Sequence, residues 1–298
     1  MAITLTPQTA LATLTPLSVL AASYDGLLCD IWGVLHNGVA AFDDAVDALC
    51  RYRAQGGIVI LITNAPRSHL EIYPQLERFG VPRQAFDAVV TSGDVTTLLM
   101  RKSPDTPLFH FGPARDHSIF NGLANPIVGI SGAKLCLLTG PLDDDIETVD
   151  VYENLLKELR DNEATMICAN PDLTVRSGSR MVICAGSIAA HYAQMGGAVV
   201  QSGKPQAEIY NAAVEKMGKL AGREIPKNRL LAVGDGLPTD IKGAAQNGFD
   251  AYFITGGLHS SGLGDMGIPE NVSETIAQIT SGYPDISLVG VCDRLRWT

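Results

Sequence analysis

The stretch DGLLCDI, residues 25–31, decides how the rest of the chain is read. Three apolar residues, Leu27, Leu28 and Cys29, run without polar alternation into a carboxylate, Asp30. A run of this kind describes a short strand buried on both faces, as in a parallel sheet. The same pattern returns in GIVILITN at 57–64, GAVVQSGK at 197–204 and RLLAVGDG at 229–236, with a further run from Asp250 to Thr255. Helical spacing fills the intervals. Asp43 to Ala54 carries Ala45, Val46, Leu49 and Cys50 on one face, and Ser68 to Phe79 carries Leu70, Tyr73, Leu76 and Phe79. Ala207 to Lys219 and Asp240 to Asn247 repeat the theme, the last stopped by Gly248. Strand then helix, repeated, predicts right-handed βαβ units and an α/β fold with a doubly wound parallel sheet.

The middle of the chain has a different texture. Pro104, Pro107, Pro113, Pro126 and Pro141 punctuate it. Further apolar runs lie at Thr106–Phe111, Ala133–Leu138 and Ala164–Ala169, with a helical pattern from Asp150 to Arg160. This predicts an inserted α/β domain over 103–196, between core segments 1–102 and 197–298.

The four leading runs end in residues suited to chemistry. Ligands of open parallel sheets bind beyond the carboxyl ends of the strands. Asp30, Thr63 with Asn64, Lys204 and Asp235 are therefore expected to converge. A carboxylate at a strand end, followed by Gly33 in a tight loop, is placed to attack phosphorus. Asp235 and Asp240, in GDGLPTD, offer the hard oxygens that Mg²⁺ prefers; Asp240 equally suits capping the helix that follows. Lys204, between Gly203 and Pro205, can be held inward by a rigid turn or stand in solvent. Thr63 can donate a hydroxyl or cap the segment before Pro66 and Arg67. The glycines around Asp235 do not continue as G-x-G-x-x-G, so a dinucleotide fingerprint is absent.

Composition sets the outer limits. Of 298 residues, 46% are apolar and 18% charged, enough to bury a sizeable core. The net charge of −10 and the lack of a basic cluster argue against nucleic acid as a partner. They do not argue against an anionic small molecule, because a bound divalent cation inverts the local field. The six cysteines form no C-x-x-C pair and sit mostly in apolar stretches, which predicts buried thiols in a reducing, cytoplasmic setting. The first 24 residues carry no charge, and Ala10 to Ser23 is apolar. Without a positive n-region, and with Pro16 breaking the run, this reads as an N-terminal helix packed on the protein and not as a secretory signal. No apolar run approaches a membrane span.

Taken in order, Asp30 in CDIWGVL, Thr63 in LITN, Lys204 in SGKP, and Asp235 with Asp240 in GDGLPTD resemble the four motifs of the haloacid dehalogenase superfamily. The inserted domain between Thr63 and Lys204, with ANPD at 169–172, is similar to the class IIA, NagD-like branch of phosphatases. The resemblance covers about Asp25 to Gly257. It implies a Rossmann-like core with an α/β cap, and a phosphatase acting through an aspartyl-phosphate at Asp30. It also implies Mg²⁺ held by the Asp30 carboxylate, the backbone carbonyl of Trp32 and Asp235, with Asp240 in support. Thr63, Asn64 and Lys204 would hold the phosphate. Asn170, Asp172 and Arg176, with Arg180 nearby, would meet the rest of a small phosphorylated metabolite. The resemblance leaves room for a homodimer through the cap.

One residue departs from the pattern. The family's hydrolases carry a second Asp two positions after the nucleophile, as general acid and base. This chain has Trp32 there, whose indole cannot relay a proton, so slow turnover is expected. His36 is the nearest substitute on the loop. Two other readings follow from Trp32: a phosphometabolite-binding protein with impaired chemistry, and a metal-independent dehalogenase, which would have no use for the acidic pair at 235 and 240.

Overall fold

The computed structural model describes residues 14–143, 148–177, 180–256, 277 and 281–298. Two compact units divide the chain: residues 1–62, 73–89 and 210–298 form one, and residues 63–72 and 90–209 the other.

The strands, in chain order, are β1 (Gly26–Asp30), β2 (Ile58–Thr63), β3 (Ala88–Thr91), β4 (Leu108–Phe111), β5 (Leu135–Leu138), β6 (Thr165–Cys168), β7 (Thr174–Ser177), β8 (Arg180–Ile183), β9 (Val199–Gln201), β10 (Leu230–Gly234), β11 (Asp250–Ile254) and β12 (Ser287–Cys292). The helices are α1 (Leu17–Leu20), α2 (Asp43–Ala54), α3 (His69–Arg78), α4 (Ser92–Met100), α5 (Glu153–Asp161), α6 (Ala185–Gln194), α7 (Ala207–Ala221) and α8 (Lys242–Asn247).

The larger sheet has the order β12-β11-β10-β1-β2-β3. Strand β1 pairs in parallel with both β2 and β10, and β10 with β11, as the Rossmann-like expectation requires. From β1 the chain steps outward on one side to β2 and β3, and later on the other to β10, β11 and β12. The gap between β1 and β10 is thus the topological switch point, where such sheets bind ligands. All five residues of β1 are buried, which is why its sequence does not alternate. Leu27, Cys29, Val59, Ile60 and Leu61 are wholly inaccessible. Each large side chain buried this way contributes roughly 1.5–3 kcal/mol. The register sets Cys29 beside Val233, so the chain after Asp30 and after Gly234 leaves the sheet side by side.

The smaller sheet, in the second unit, runs β4-β5-β6-β9, all parallel. Successive residues alternate between its two buried faces. Cys136, Leu138, Met166 and Cys168 pack with Leu156 and Leu159 of α5 and Ile188 and Tyr192 of α6. Leu137 and Ile167 pack with Met100 and Ile119 on the other side. Strands β7 and β8 form an antiparallel hairpin of their own.

Several expectations are sharpened or corrected. The helix over Asp43–Ala54 is observed with those bounds. The 197–204 run does form a strand, but β9 pairs with β6 and not with the larger sheet. Hydrogen bonds from Met166 N–H to Ala198 and from Ser202 N–H to Cys168 fix it there. An apolar run announces a parallel strand without saying which sheet receives it. Of the N-terminal stretch, the described part is α1 followed by a 3₁₀ turn over Ala21–Ser23; residues before 14 lie outside the described ones. It is anchored by Thr15 N–H to Val291 and Leu17 N–H to Arg296. The six cysteines are all free, and five are buried. Among the described residues no helix is long and apolar enough to cross a membrane.

One joint occurs twice. At the end of α2, Tyr52 is followed by Gly56 and Gly57; at the end of α6, Tyr192 is followed by Gly196 and Gly197. Gly56 and Gly196 are left-handed, with φ of 92° and 89°. The next glycine lies flat on the tyrosine ring, where a Cβ would come within 2.2 Å of Tyr52 or 2.3 Å of Tyr192. Each hydroxyl then donates to a backbone carbonyl, that of Tyr24 or of Ala164.

At the amino ends of β1 and β10, Asp25 accepts from both Arg223 and Arg229. These bonds hold its carboxyl below the usual range, Arg229 contributing most. Because the folded value is depressed, the contribution is fully present above the unfolded value near pH 4 and is lost as pH falls through the folded value. Asp25→Asn is expected to lower the thermal midpoint at pH 7, and the gap to wild type should shrink as the pH is lowered below 4 in circular-dichroism melts.

Candidate active site

Asp30 closes β1, Asp235 follows β10 directly, and Asp240 lies one turn later. One carboxylate oxygen from each falls within 4.8 Å of the others. The three residues are 7%, 2% and 6% exposed. For ionised carboxylates at this separation, with an effective dielectric near 20, each pair repels by about 3.5 kcal/mol or more. Buried carboxylates in such proximity fit a hard divalent cation, which takes oxygen ligands of this kind.

The glycines around the cluster make room for it. Gly33 has φ of +86°, and a Cβ there would lie 2.1 Å from Asp235 Oδ2. A Cβ on Gly234 would meet the Asp240 carboxyl carbon at 2.2 Å. The helix expected from Asp240 instead begins with a π turn over Leu237–Ile241, before α8. Ile241 N–H reaches back to Gly236, and Gly236 N–H donates to Asp240 Oδ2 at 3.0 Å. The cap of α8 is Ile241, so Asp240 is not that helix's N-cap; it accepts from Gly236 within its own turn and adds an oxygen to the cluster, and π turns often mark such sites.

The loop after Asp30 is tightly wound: Leu35 N–H bonds Ile31, and Gly33 N–H bonds His36. Trp32 is half-buried, its ring lying against Gly38 and meeting the His36 ring edge-on at 5.2 Å. His36 is also in edge contact with Phe79, and its Nδ1 accepts from Gly38 N–H. Burial lowers its pKa to about 4. At neutral pH it is an uncharged packing residue of the loop, not a ready proton donor.

In the second unit, Asn64, Asn170, Asp172 and Lys204 come together. Asn64 Oδ1 accepts from Lys204 N–H at 2.7 Å, and Asn64 Nδ2 donates to Asp172 Oδ1 at 2.8 Å. Asn170 Oδ1 accepts from Asp172 N–H at 3.1 Å. Lys204 is 3% exposed, which removes the solvent-facing alternative. Thr63 Oγ1 accepts from Ala65 N–H at 3.2 Å. Arg176 sits on β7 opposite Met181; its side chain lies outside the described residues. Arg180, on β8, is exposed.

Sequence reading missed the ion pair of Arg67 with Asp116, Nε to Oδ1 at 2.8 Å. Asp116 is 2% exposed, and burial raises its pKa while Arg67 opposes the rise. The pair anchors the loop that follows Asn64. Nothing local marks it, since its partners are 49 residues apart.

Comparison with known proteins agrees with this geometry. Residues 27–124 match the haloacid dehalogenase-like hydrolase model and residues 201–279 an HAD-hydrolase-like model. A haloacid dehalogenase-like hydrolase from Brucella suis 1330 is 43% identical, covering 83% of this chain and 90% of that one, with a TM-score of 0.80. A 4-nitrophenylphosphatase from Thermotoga maritima shares the fold at 24% identity, over 80% and 88% of the two chains, with a TM-score of 0.63. The 5'-nucleotidase YutF of Bacillus subtilis is 21% identical over 238 residues, 79% of this chain and 89% of that protein. The chain belongs to the haloacid dehalogenase-like hydrolase family.

Two outcomes test the cluster. Millimolar divalent cation should raise the thermal midpoint of the wild type and have little effect on Asp235→Asn, read by scanning fluorimetry. Gly33→Ala should lose most of that cation response, with a backbone cost of about 1–2 kcal/mol from the left-handed φ.

Proposed function

We propose that the chain is a Mg²⁺-dependent phosphatase of a small phosphorylated metabolite, with Asp30 as nucleophile. The observation that carries the reading is the buried Asp30, Asp235 and Asp240 cluster at the carboxyl ends of β1 and β10. In this reading the Asp30 carboxylate attacks phosphorus, the bond to the leaving oxygen breaks, and an aspartyl-phosphate forms. Mg²⁺ would be held by the Asp30 carboxylate, the Trp32 carbonyl and Asp235, with Asp240 beside them, and when bound supplies positive charge to the phosphoryl oxygens. The Thr63 hydroxyl and the Lys204 ammonium are assigned to the phosphate. Asn170 and Arg176 are assigned to the remainder of the substrate. The names of the relatives, a 4-nitrophenylphosphatase and a 5'-nucleotidase, support a phosphomonoester.

Trp32 cannot hand a proton to the leaving oxygen, and His36 is buried and neutral. General acid–base help contributes about 10²–10⁴-fold, so alkyl phosphates should turn over more slowly than aryl phosphates by a comparable factor. The same residue favours a second reading, a binding protein for a phosphorylated metabolite. The acidic cluster weighs against a metal-independent dehalogenase.

Phosphate release should be measured over a panel of sugar, nucleotide, cofactor and aryl phosphates. Asp30→Asn and chelation are each expected to abolish release, and Trp32→Asp to raise turnover of alkyl phosphates by about tenfold or more. Release that survives Asp30→Asn would sink the nucleophile assignment. A panel with no turnover but with saturable binding of a phosphorylated compound would shift the reading to the binding protein.

A further inference from the structure

Asn64 stands beside Thr63, where a phosphate contact is the simplest assignment, yet its amide is already committed. Its orientation is fixed by chemistry. Lys204 N–H can only donate, so the atom facing it at 2.7 Å is the carbonyl oxygen. An ionised Asp172 only accepts, so the atom facing Oδ1 at 2.8 Å is the NH₂ group. The second amide hydrogen points to the Lys204 carbonyl at 3.4 Å. Asn64 is 3% exposed. One planar group therefore spans three chain segments: the end of β2, the Gly203–Lys204 turn, and the loop that leads into the β7–β8 hairpin.

Both distant segments are shaped to receive it. Gly203 is left-handed, with φ of +97°, and a Cβ there would come within 2.6 Å of Asn64 Oδ1 and 2.8 Å of Ser92 Oγ. The Asp172 loop is pinned on its other side by Asn170 Oδ1, and by Gly186 N–H donating to the Asp172 carbonyl. A Cβ on Gly186 would strike that carbonyl at 2.4 Å. Neither turn can shift toward Asn64 or away from it without losing these contacts.

We infer that Asn64 is a positioning residue, which fixes the backbone of Lys204 and the root of the β7–β8 hairpin through one amide and does not itself bind phosphate. The inference rests on the proposed function only in taking Lys204 as a phosphate-holding group. A displacement of about 1 Å in such a group costs around 10²-fold in rate.

An exchange of side chains tests it. Asn64→Asp is nearly isosteric and keeps an oxygen for Lys204 N–H, but it sets a second carboxylate against Asp172. Adding Asp172→Asn restores a donor–acceptor pair in the reverse sense. Turnover of 4-nitrophenyl phosphate should fall by about tenfold or more in Asn64→Asp and recover at least in part in the double variant. A phosphate ligand would show no recovery, because the carboxylate would still face the anion. Acylation of the Lys204 amine by an N-hydroxysuccinimide ester, followed by peptide mass spectrometry, gives a readout that needs no turnover. Labelling should be slow in the wild type, faster in Asn64→Asp and slow again in the double variant. Unchanged Lys204 labelling in Asn64→Asp, or a double variant no better than Asn64→Asp in either measurement, would overturn the inference. A wild type without phosphatase activity would instead count against the proposed function, and the labelling series would still decide the role of Asn64.

Discussion

Three carboxylates held out of water within a few ångströms of each other repel one another, and a protein keeps them only if the surrounding backbone leaves no alternative. Asp30 and Asp235 are delivered by adjacent parallel strands whose register is set by buried side chains on both faces. Asp240 is returned to them by a π turn that a regular helix would not supply. Gly33 and Gly234 press their backbones against the carboxylates where any side chain would collide. The stability invested in β1 and β10 thus maintains an arrangement that is electrostatically unfavourable without a counter-charge. Such storage of unfavourable charge is characteristic of sites built for chemistry.

Most of this was legible in the chain because buried parallel strands advertise themselves. An unbroken apolar run ending in Asp, Thr or Lys marks both an element and the polar residue at its tip. The α/β class, the bounds of α2 and the acidic pair at 235 and 240 followed directly. What was not legible depended on partner choice at long range. The GAVV run specified a strand, but only the competition between two sheets for its hydrogen bonds placed β9 beside β6. Strand β12, with its glycine-interrupted SLVGVC, gave a weaker signal than its neighbours. The Asn64 bridge joins residues separated by 108 and 140 positions, which no local spacing encodes.

The loop after Asp30 shows a different kind of substitution. Where the family pattern places a proton-transferring carboxylate, this chain places an indole that packs on Gly38 and on a buried histidine. The exchange trades a titratable group for apolar contact, in a loop wound by its own backbone hydrogen bonds. Fixing the attacking carboxylate is one requirement of catalysis, and moving protons is another. In the proposed reaction the first would be met by the Asp30 loop itself, and the second would be left to the chemistry of the departing group.

The repeated tyrosine–glycine joint bears on the order in which the chain acquires its structure. Each joint closes a helix onto the start of the next strand within a handful of residues, so both can form early and at small entropic cost. The pairing of β1 with β10 is of the opposite kind: Gly26 must find Leu230 across most of the polypeptide. That search becomes shorter once residues 90–209 have condensed around their own sheet, because the effective loop to be closed contracts with them. The switch point that holds the carboxylates therefore rests on the strand pairing of greatest sequence separation in the larger sheet.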